Sequence, residues 1–545
     1  MPIFEINSFR GGLADYEDKG LPGSFKFASN IDIRKLKDSL TCQQALIDEG
    51  IQSAISSRSP SASRSPSASN SPSPSLSVSP STSASPSGAG SSSTSPSASR
   101  SPSASLSAST SLSPSTSISP SPSPSAGLVS VFSDLIRIFV KCSDGNLYGF
   151  GNTGKVYKRP STNYWLQVFD LHKPIVGAYE KPSSNGKTYL VFATATELHR
   201  KEIPGNSSWN DVDKAGSVQG DTWPKTNLDS VAWHMMTQVG GDVIIANNNK
   251  LAMSAYDDSY TNEALDLIPG RIAQAVIERS GRAVVGSYLA SDPINGVNGM
   301  IDTEVPLSQV GIDGYIYYND FRNSISVKRF PGGGKINPSG VCNEVSQAEF
   351  FDWAQTALSW IDKQNVGNMA LFAVYGADSG KGGLYTYGRK NKNQPFVMNL
   401  DYQFDADELG AVVNMGGTDI VSYRLGSTFG VKAVDQNNKA IGIYEGLDLK
   451  APSKFPIQLT QWKEAVLLMA PLAAGCSVEF WYRCNKNGNF IQAKTADGIS
   501  QYSKSNGMKA VFRIDAQGEY FEPRVVLNPQ ANISPEVYKV RLLFN

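Results

Sequence analysis

The chain has 545 residues, and its 49 lysines and arginines balance 49 aspartates and glutamates, so the formal net charge is zero. Proteins that bind nucleic acids or anionic membranes usually carry a basic excess, so this composition argues against both partners for the chain as a whole. The length predicts two to four domains, or one large all-β unit with a smaller one.

Residues 1–56 form an N-terminal arm that is expected to supply the first strands of the domain that follows. The arm begins without a basic region followed by an apolar run, so a secretory signal is not expected. No apolar stretch approaches the roughly 18 residues that a membrane helix requires, which predicts no membrane span. The cysteines are odd in number, scattered and without a C-x-x-C pair, which predicts free thiols made in a reducing compartment. They are Cys42, Cys142, Cys342, Cys476 and Cys484.

Residues 57–125 are a low-complexity tract in which 35 of 69 residues are serine and 12 are proline. Its few small or aliphatic side chains cannot offset a backbone entropy cost of about 1–2 kcal/mol per residue. Proline at intervals of six also removes the donors that a strand would need. The tract is therefore expected to be a disordered insertion with polyproline character. An unmodified spacer is the favoured interpretation, and proline-directed phosphorylation or O-glycosylation of its serines is the alternative.

Residues 126–449 repeat one pattern, in which a short β-branched or aromatic run leads through a Gly/Asn/Asp turn into a second run. Copies begin near residues 146, 188, 242, 283, 314, 370 and 411. Recurrence in the forties with hairpin turns is typical of four-stranded blades around a central axis. The pattern predicts a β-propeller of about six or seven blades, and a series of stacked β-sandwiches is the competing interpretation.

Two segments depart from this pattern. Residues 344–364 have helical apolar spacing, which predicts a helix on the flank of the propeller or at an oligomer contact. Residues 450–545 alternate strictly and predict a C-terminal antiparallel β-sandwich. In the strand 477–483, for example, Val478, Phe480 and Tyr482 alternate with Glu479, Trp481 and Arg483.

Motifs for catalysis, cofactor binding or metal binding are not found, so the sequence predicts a protein that is not an enzyme. A Ser-His or Cys-His pair would have to use one of three histidines, and no G-x-S-x-G turn accompanies any serine. Those histidines, His172, His199 and His234, are interpreted as structural or surface residues. The stretches 331–335 and 376–381 imitate phosphate loops but lack the hydroxyl residue after lysine, so both are interpreted as turns.

Two other groups suggest binding without a specific motif. Asp401, Asp405, Asp407 and Glu408 lie within eight residues but lack EF-hand spacing, which favours a solvated loop over a calcium site. Three tryptophans in turn-rich surroundings could stack on a sugar, although large aromatics in propellers more often fill the gaps between blades. They are Trp165, Trp209 and Trp223.

The two ends of the chain carry the most distinctive motifs. The arm contains Phe9-Arg-Gly-Gly-Leu13, Ala28-Ser-Asn-Ile-Asp-Ile-Arg34 and Ser39-Leu-Thr41, and the C-terminal segment contains Phe521-Glu-Pro-Arg-Val-Val-Leu527 and Ser534-Pro-Glu-Val-Tyr538. These motifs resemble tail-associated β-propeller virion structural proteins of tailed bacteriophages, in which a Gly-Gly-Leu arm precedes an Asn-x-Asp-x-Arg strand. Family members commonly follow with an Arg-x-Gly turn, and this chain departs from them with Cys42-Gln-Gln-Ala-Leu46.

The resemblance implies a non-enzymatic structural component of a bacteriophage virion, assembled in the host cytoplasm. It would be a tail hub, nozzle or tip protein that forms a homo-oligomeric ring and contacts other tail or head-tail proteins, with no cofactor. Two alternatives stay open. One is a tail-tip protein that binds a receptor or host surface glycan, and the other is a polysaccharide-degrading tail enzyme, which would need a carboxylate pair.

Overall fold

The structure is a computed structural model that describes most of the chain outside the serine and proline tract. The described residues are 2–13, 23–33, 38–51, 132–161, 164–204, 209–213, 222–231, 233–267, 269–279, 282–289, 317–319, 325–327, 359–360, 369–375, 380, 382–388, 397–450, 459–485 and 488–545. The tract 57–125 and the stretch 331–335 lie outside them, as does most of 376–381. Of the predicted helix 344–364 only Ser359 and Trp360 are described, and there the prediction is wrong because both residues are in a strand.

The described chain is built from β-strands, with one short 3-10 helix at Trp209–Asp211. Before the tract the strands are β1 (Ile3–Ile6), β2 (Gly12–Leu13), β3 (Ser24–Ser29), β4 (Leu40–Thr41) and β5 (Gln44–Ile51). The next are β6 (Ile136–Lys141), β7 (Leu147–Gly151), β8 (Lys155–Ser161), β9 (Tyr164–Asp170), β10 (Gly177–Pro182), β11 (Thr188–Ala193), β12 (Leu198–Ile203), β13 (Met236–Val239), β14 (Asp242–Asn247), β15 (Lys250–Ser254), β16 (Tyr260–Asp266), β17 (Arg271–Arg279) and β18 (Arg282–Leu289). They are followed by β19 (Tyr317–Asn319), β20 (Ile325–Val327), β21 (Ser359–Trp360), β22 (Met369–Val374), β23 (Gly383–Gly388), β24 (Val397–Gln403), β25 (Glu408–Met415), β26 (Thr418–Leu425) and β27 (Thr428–Lys439). The last are β28 (Gly442–Gly446), β29 (Leu449–Lys450), β30 (Thr460–Met469), β31 (Ser477–Cys484), β32 (Ile491–Gln492), β33 (Gln501–Tyr502), β34 (Lys509–Gly518), β35 (Tyr520–Asn528) and β36 (Glu536–Phe544).

Strands β6 to β27 form seven successive antiparallel units within the described residues, which we number as blades 1 to 7. They are β6–β9, β10–β12, β13–β16, β17–β18, β19–β20, β21–β24 and β25–β27. Short turns connect neighbouring strands, as between β6 and β7, where Gly145 adopts a φ of 81° and the Asp144 carboxylate accepts a hydrogen bond from Asn146 N at 2.9 Å.

Successive blades pack face to face, because alternate side chains of a strand point to opposite sides of its sheet. In β11, Leu190 and Phe192 pack against blade 1, while Tyr189 and Val191 pack against blade 3. The first strands of blades 1 to 4 also lie beside one another in chain order, and β25 lies beside β6. This arrangement is a β-propeller, so the predicted fold class is confirmed.

The propeller closes through the N-terminal arm. Strand β5 completes blade 7 by antiparallel pairing with β27, with Ile47 opposite Ala433, and its end pairs in parallel with β9 of blade 1. The Trp165 side chain of β9 then packs in one cluster with Val431 of β27. Blades 1 and 7 are therefore joined both by backbone hydrogen bonds and by a shared apolar core.

The remaining strands form the predicted β-sandwich, to which the arm also contributes. One sheet has the order β1-β36-β30-β34 with β4 beside β36, and the other contains β3-β28-β35-β31. The core between them includes Trp462 and Phe521, whose ring centroids are 4.5 Å apart. Strand β3 joins the domains, because Ser29 pairs with Leu400 of blade 6 on one side and with Ile443 of the sandwich on the other.

A search of the described residues for a helix long and apolar enough to cross a membrane finds none.

Candidate functional site

The outer face of the sandwich sheet carries the candidate site. In this sheet Ala28, Tyr444, Val525 and Phe480 lie opposite one another on the face that covers the core. The adjacent row, Glu445, Arg524 and Trp481, therefore projects from the outer face. The sheet register thus places charged and aromatic side chains side by side on the surface of the sandwich.

A groove of about 620 Å³ runs over this face and reaches the edge of blade 6. Its lining includes Lys26 of β3, Glu445 of β28, Arg524 of β35 and Arg483 of β31, and the segment before β32 contributes Phe490. Ligand pockets in proteins commonly measure about 300–1,000 Å³, so the groove is large enough for a small ligand.

Acidic side chains in and beside the groove form ion pairs with its basic side chains. Lys26 Nζ lies 3.1 Å from Glu522 Oε2 and 3.5 Å from Asp448 Oδ1. Arg483 also pairs with Glu522, whose side chain is only 1% exposed, and Arg524 pairs with Glu445 at 2.5 Å. Buried carboxylates of this kind require such partners, since an unpaired buried charge is strongly unfavourable.

Phe490 lies over the two arginines. The guanidinium carbon of Arg524 is 3.6 Å from the centre of the Phe490 ring, and that of Arg483 is 4.7 Å from it. Both arginines project from one face of one sheet, so both approach the ring from the sheet side. Cation–π contacts of this type fix the position of a ring that would otherwise be mobile at a surface.

The groove is large enough for a small ligand, but its chemistry does not suggest proton transfer or nucleophilic attack. Its arginines are permanently charged, and the nearby Cys484 thiol is a poor nucleophile because burial and the Glu522 carboxylate raise its pKa. The other described cysteines are free thiols as well, and burial raises the pKa of Cys42 to about 11.

The tryptophans considered for sugar stacking mostly lie inside the propeller. Trp165 is fully buried and donates its indole N–H to Glu49 at 2.8 Å, and Trp209 is buried against Phe169. Sugar stacking at these two residues is therefore wrong, and they fill space beside blade 1. The Trp223 ring is half-buried and lies 4.4 Å from the guanidinium of Arg200.

The histidines have different environments. His199 Nδ1 lies 2.8 Å from Asp213 in a buried site, and His172 is exposed. His234 is buried between backbone carbonyl groups, with Nδ1 2.8 Å from Ala246 O, and burial lowers its pKa. These contacts agree with the structural or surface interpretation.

The acidic cluster of residues 401–408 is divided among different partners. Asp401 is buried and accepts a hydrogen bond from Thr386 Oγ1 at 2.5 Å, so the solvated-loop prediction is wrong for that residue. Asp405 accepts backbone N–H groups from Gly380 and Gly382, and Asp407 accepts one from Gly426. Glu408 pairs with Arg137 and Arg424. No set of three potential metal-ligating side chains occurs among the described residues.

The groove residues are not among those that the sequence singles out as candidates. Trp481 and Arg483 alternate with the apolar residues of one strand, which is the available signal. Arg524 belongs to a motif used only for the resemblance, and Phe490 follows a glycine and asparagine turn with no recognisable pattern. Only the pairing of β31 with β35 brings these side chains together.

Comparisons with known proteins show no established relative. No family model matches the chain, and no curated protein matches it. Among solved structures, a streptogramin B lyase is 13% identical with a TM-score of 0.32, covering 56% of this chain and 95% of the lyase. The AfRom2 CNH domain is 9% identical with a TM-score of 0.31, covering 56% of this chain and 96% of that domain. An exo-beta-1,3-galactanase from Phanerochaete chrysosporium is 8% identical with a TM-score of 0.23, covering 76% of this chain and 97% of the galactanase. Likenesses this weak carry no functional argument, and the fold assignment rests on the sheets and cores of the chain itself.

Proposed function

We propose that this chain is a non-enzymatic structural component of a bacteriophage virion, a tail hub, nozzle or tip protein that assembles as a ring. The proposal begins from the resemblance of the terminal motifs. It is supported by the position of the Asn-x-Asp-x-Arg segment, which starts where the propeller and the sandwich meet.

The hydrogen bonds of Asn30 are the observation that carries the proposal. Its side-chain oxygen accepts a hydrogen bond from Gln403 N at 2.8 Å, and its side-chain nitrogen donates to Ile441 O at 3.0 Å. Its backbone N–H donates to Leu400 O, and its φ is 53°, a value that asparagine tolerates better than most residues. One motif residue thus ties blade 6 to the segment that enters the sandwich.

The Gly-Gly-Leu arm has a matching structural role. Phe9 is fully buried and packs edge-on against Tyr444, with centroids 5.4 Å apart. A Cβ atom on Gly11 would lie 2.1 Å from Ser24 N, so only glycine fits at this crossing. Phe9 and Gly11 therefore fix the arm against β28 and against β3, the strand that joins the two domains.

The test combines particle composition with assembly. Mass spectrometry of purified particles of the phage that encodes the chain should find it at a fixed copy number. Light scattering on the recombinant protein should show a multiple of the 58.6 kDa chain. A protein that stays monomeric at high concentration and is absent from particles contradicts the proposal.

Variants of Asn30 test whether the contacts between blade 6 and the segment entering the sandwich are needed for assembly. Asn30→Ala should lower unfolding stability by about 1–3 kcal/mol, since two side-chain hydrogen bonds are lost, and should reduce incorporation into particles. Asn506→Ala is the matched control, because Asn506 is exposed at a φ of 58° without a side-chain hydrogen bond among those described. Equal incorporation of the two variants into particles would count against a role of the Asn30 contacts in assembly.

A further inference from the structure

The groove over the sandwich sheet has features that a structural role does not use. Phe490 is half-buried, and its ring is supported from the sheet side by Arg483 and Arg524. Asn489 beside it is exposed. An aromatic ring held above two arginines of a sheet, next to an amide side chain, forms a platform for stacking and hydrogen bonding.

The charges around the groove balance. Three basic side chains, Lys26, Arg483 and Arg524, are matched by Glu445, Glu522 and Asp448. A site for phosphate groups or nucleic acid would be expected to keep a basic excess. The balance therefore favours a ligand without net charge.

The groups that line the groove include both hydrogen-bond donors and acceptors. The Asn489 side chain is exposed and offers an amide N–H and a carbonyl oxygen. Glu445 also lines the groove and contributes carboxylate oxygens. The groove surface therefore offers donors and acceptors in the same place.

We propose that this groove binds a neutral oligosaccharide. The hydroxyl groups of a sugar both donate and accept hydrogen bonds, and the C–H face of its ring can stack on Phe490. The proposal concerns this site only and does not depend on where in a virion the protein resides.

The test uses the full chain on an array of neutral, sulfated and carboxylated glycans, followed by calorimetry with the strongest neutral binder. Phe490→Ala should weaken binding by about tenfold or more, which corresponds to about 1.4 kcal/mol. Phe490→Trp should retain binding because it keeps the aromatic face. Tyr256→Ala is the control, since Tyr256 is a more exposed aromatic residue, 47% exposed, on a propeller turn and does not line the groove, and it should leave binding unchanged.

Three results with neutral glycans would overturn the proposal. They are the absence of binding to any neutral glycan, unchanged affinity of Phe490→Ala, and equal losses in Phe490→Ala and Tyr256→Ala. The salt dependence of binding distinguishes neutral glycans from anionic ones. Binding of a neutral sugar should change little in about 0.5 M NaCl, whereas binding confined to anionic glycans and lost in salt would also refute it.

Discussion

Glu49 should be a critical residue for closure of the propeller. It lies on β5, the strand that completes blade 7, and its side chain is 1% exposed. It accepts hydrogen bonds from Arg159 Nε, at 2.7 Å, and from Nη2 of the same guanidinium, and it accepts the indole N–H of Trp165. Arg159 and Trp165 belong to blade 1, so one carboxylate connects the two ends of the ring.

Glu49→Gln leaves the Arg159 guanidinium buried without a counter-charge. Removing one partner of a buried ion pair costs about 3–5 kcal/mol, most of it from the charge left behind. Asp48 is its neighbour on the same strand and supplies the control. Its side chain is 61% exposed and pairs with Lys432 at 2.9 Å, so Asp48→Asn should cost about 0–1 kcal/mol.

The assay compares melting temperature with hydrogen exchange in residues 44–51. Glu49→Gln should lower the melting temperature and speed exchange of the β5 amides, because the closing strand detaches more often. Asp48→Asn should change neither by a comparable amount. Equal effects of the two substitutions would refute the argument that a buried ion pair closes the ring.

Two further predictions concern the tract and a buried thiol. Deleting residues 57–125 should leave the fold intact without lowering the melting temperature, and it should leave particle incorporation unchanged; a variant that fails to enter particles would show a necessary role. Because the raised pKa of Cys42 means that the unfolded thiol ionises first, near pH 9, stability should fall as pH rises from about 9 to 11. Cys42→Ser should remove up to about 3 kcal/mol of that decline, measured by denaturation across this pH range, and an unchanged slope would contradict the assignment.

The propeller could be predicted because its signal is local and repeated. Each hairpin contains its own turn chemistry, and alternation within one strand, such as β11, already separates the two faces that contact neighbouring blades. The sandwich was predicted for the same reason. The contribution of β1, β3 and β4 to it could not be, because β-pairing over hundreds of residues leaves no local pattern. The pairing of Phe4 with Leu542 is an example.

The candidate groove could not be predicted for a related reason. Phe490, Arg483 and Arg524 are each unremarkable in sequence, and the site exists only through the register of β31 and β35. The prominent features of the sequence proved to be structural instead. Trp165 is the clearest case, since its indole fills the gap between blades 1 and 7, the more common role of large aromatics in propellers, and donates its N–H to Glu49.

The location of the tract connects two of these predictions. Ile51, the last residue of β5, and Phe132, where the described chain resumes, belong to the same apolar cluster between blades 1 and 7. The insertion therefore interrupts the chain at the point of ring closure. For this reason β5 is held beside blade 1 by noncovalent contacts and not by a short loop. Shortening the connection from 80 to 11 residues should favour closure by about 1.8 kcal/mol, from the logarithmic dependence of loop entropy on length. Deleting residues 57–125 should then raise the stability of the wild-type chain and of Glu49→Gln by about the same amount, which offsets part of the instability of Glu49→Gln. A deletion that leaves the stability of both chains unchanged would refute the loop-entropy argument.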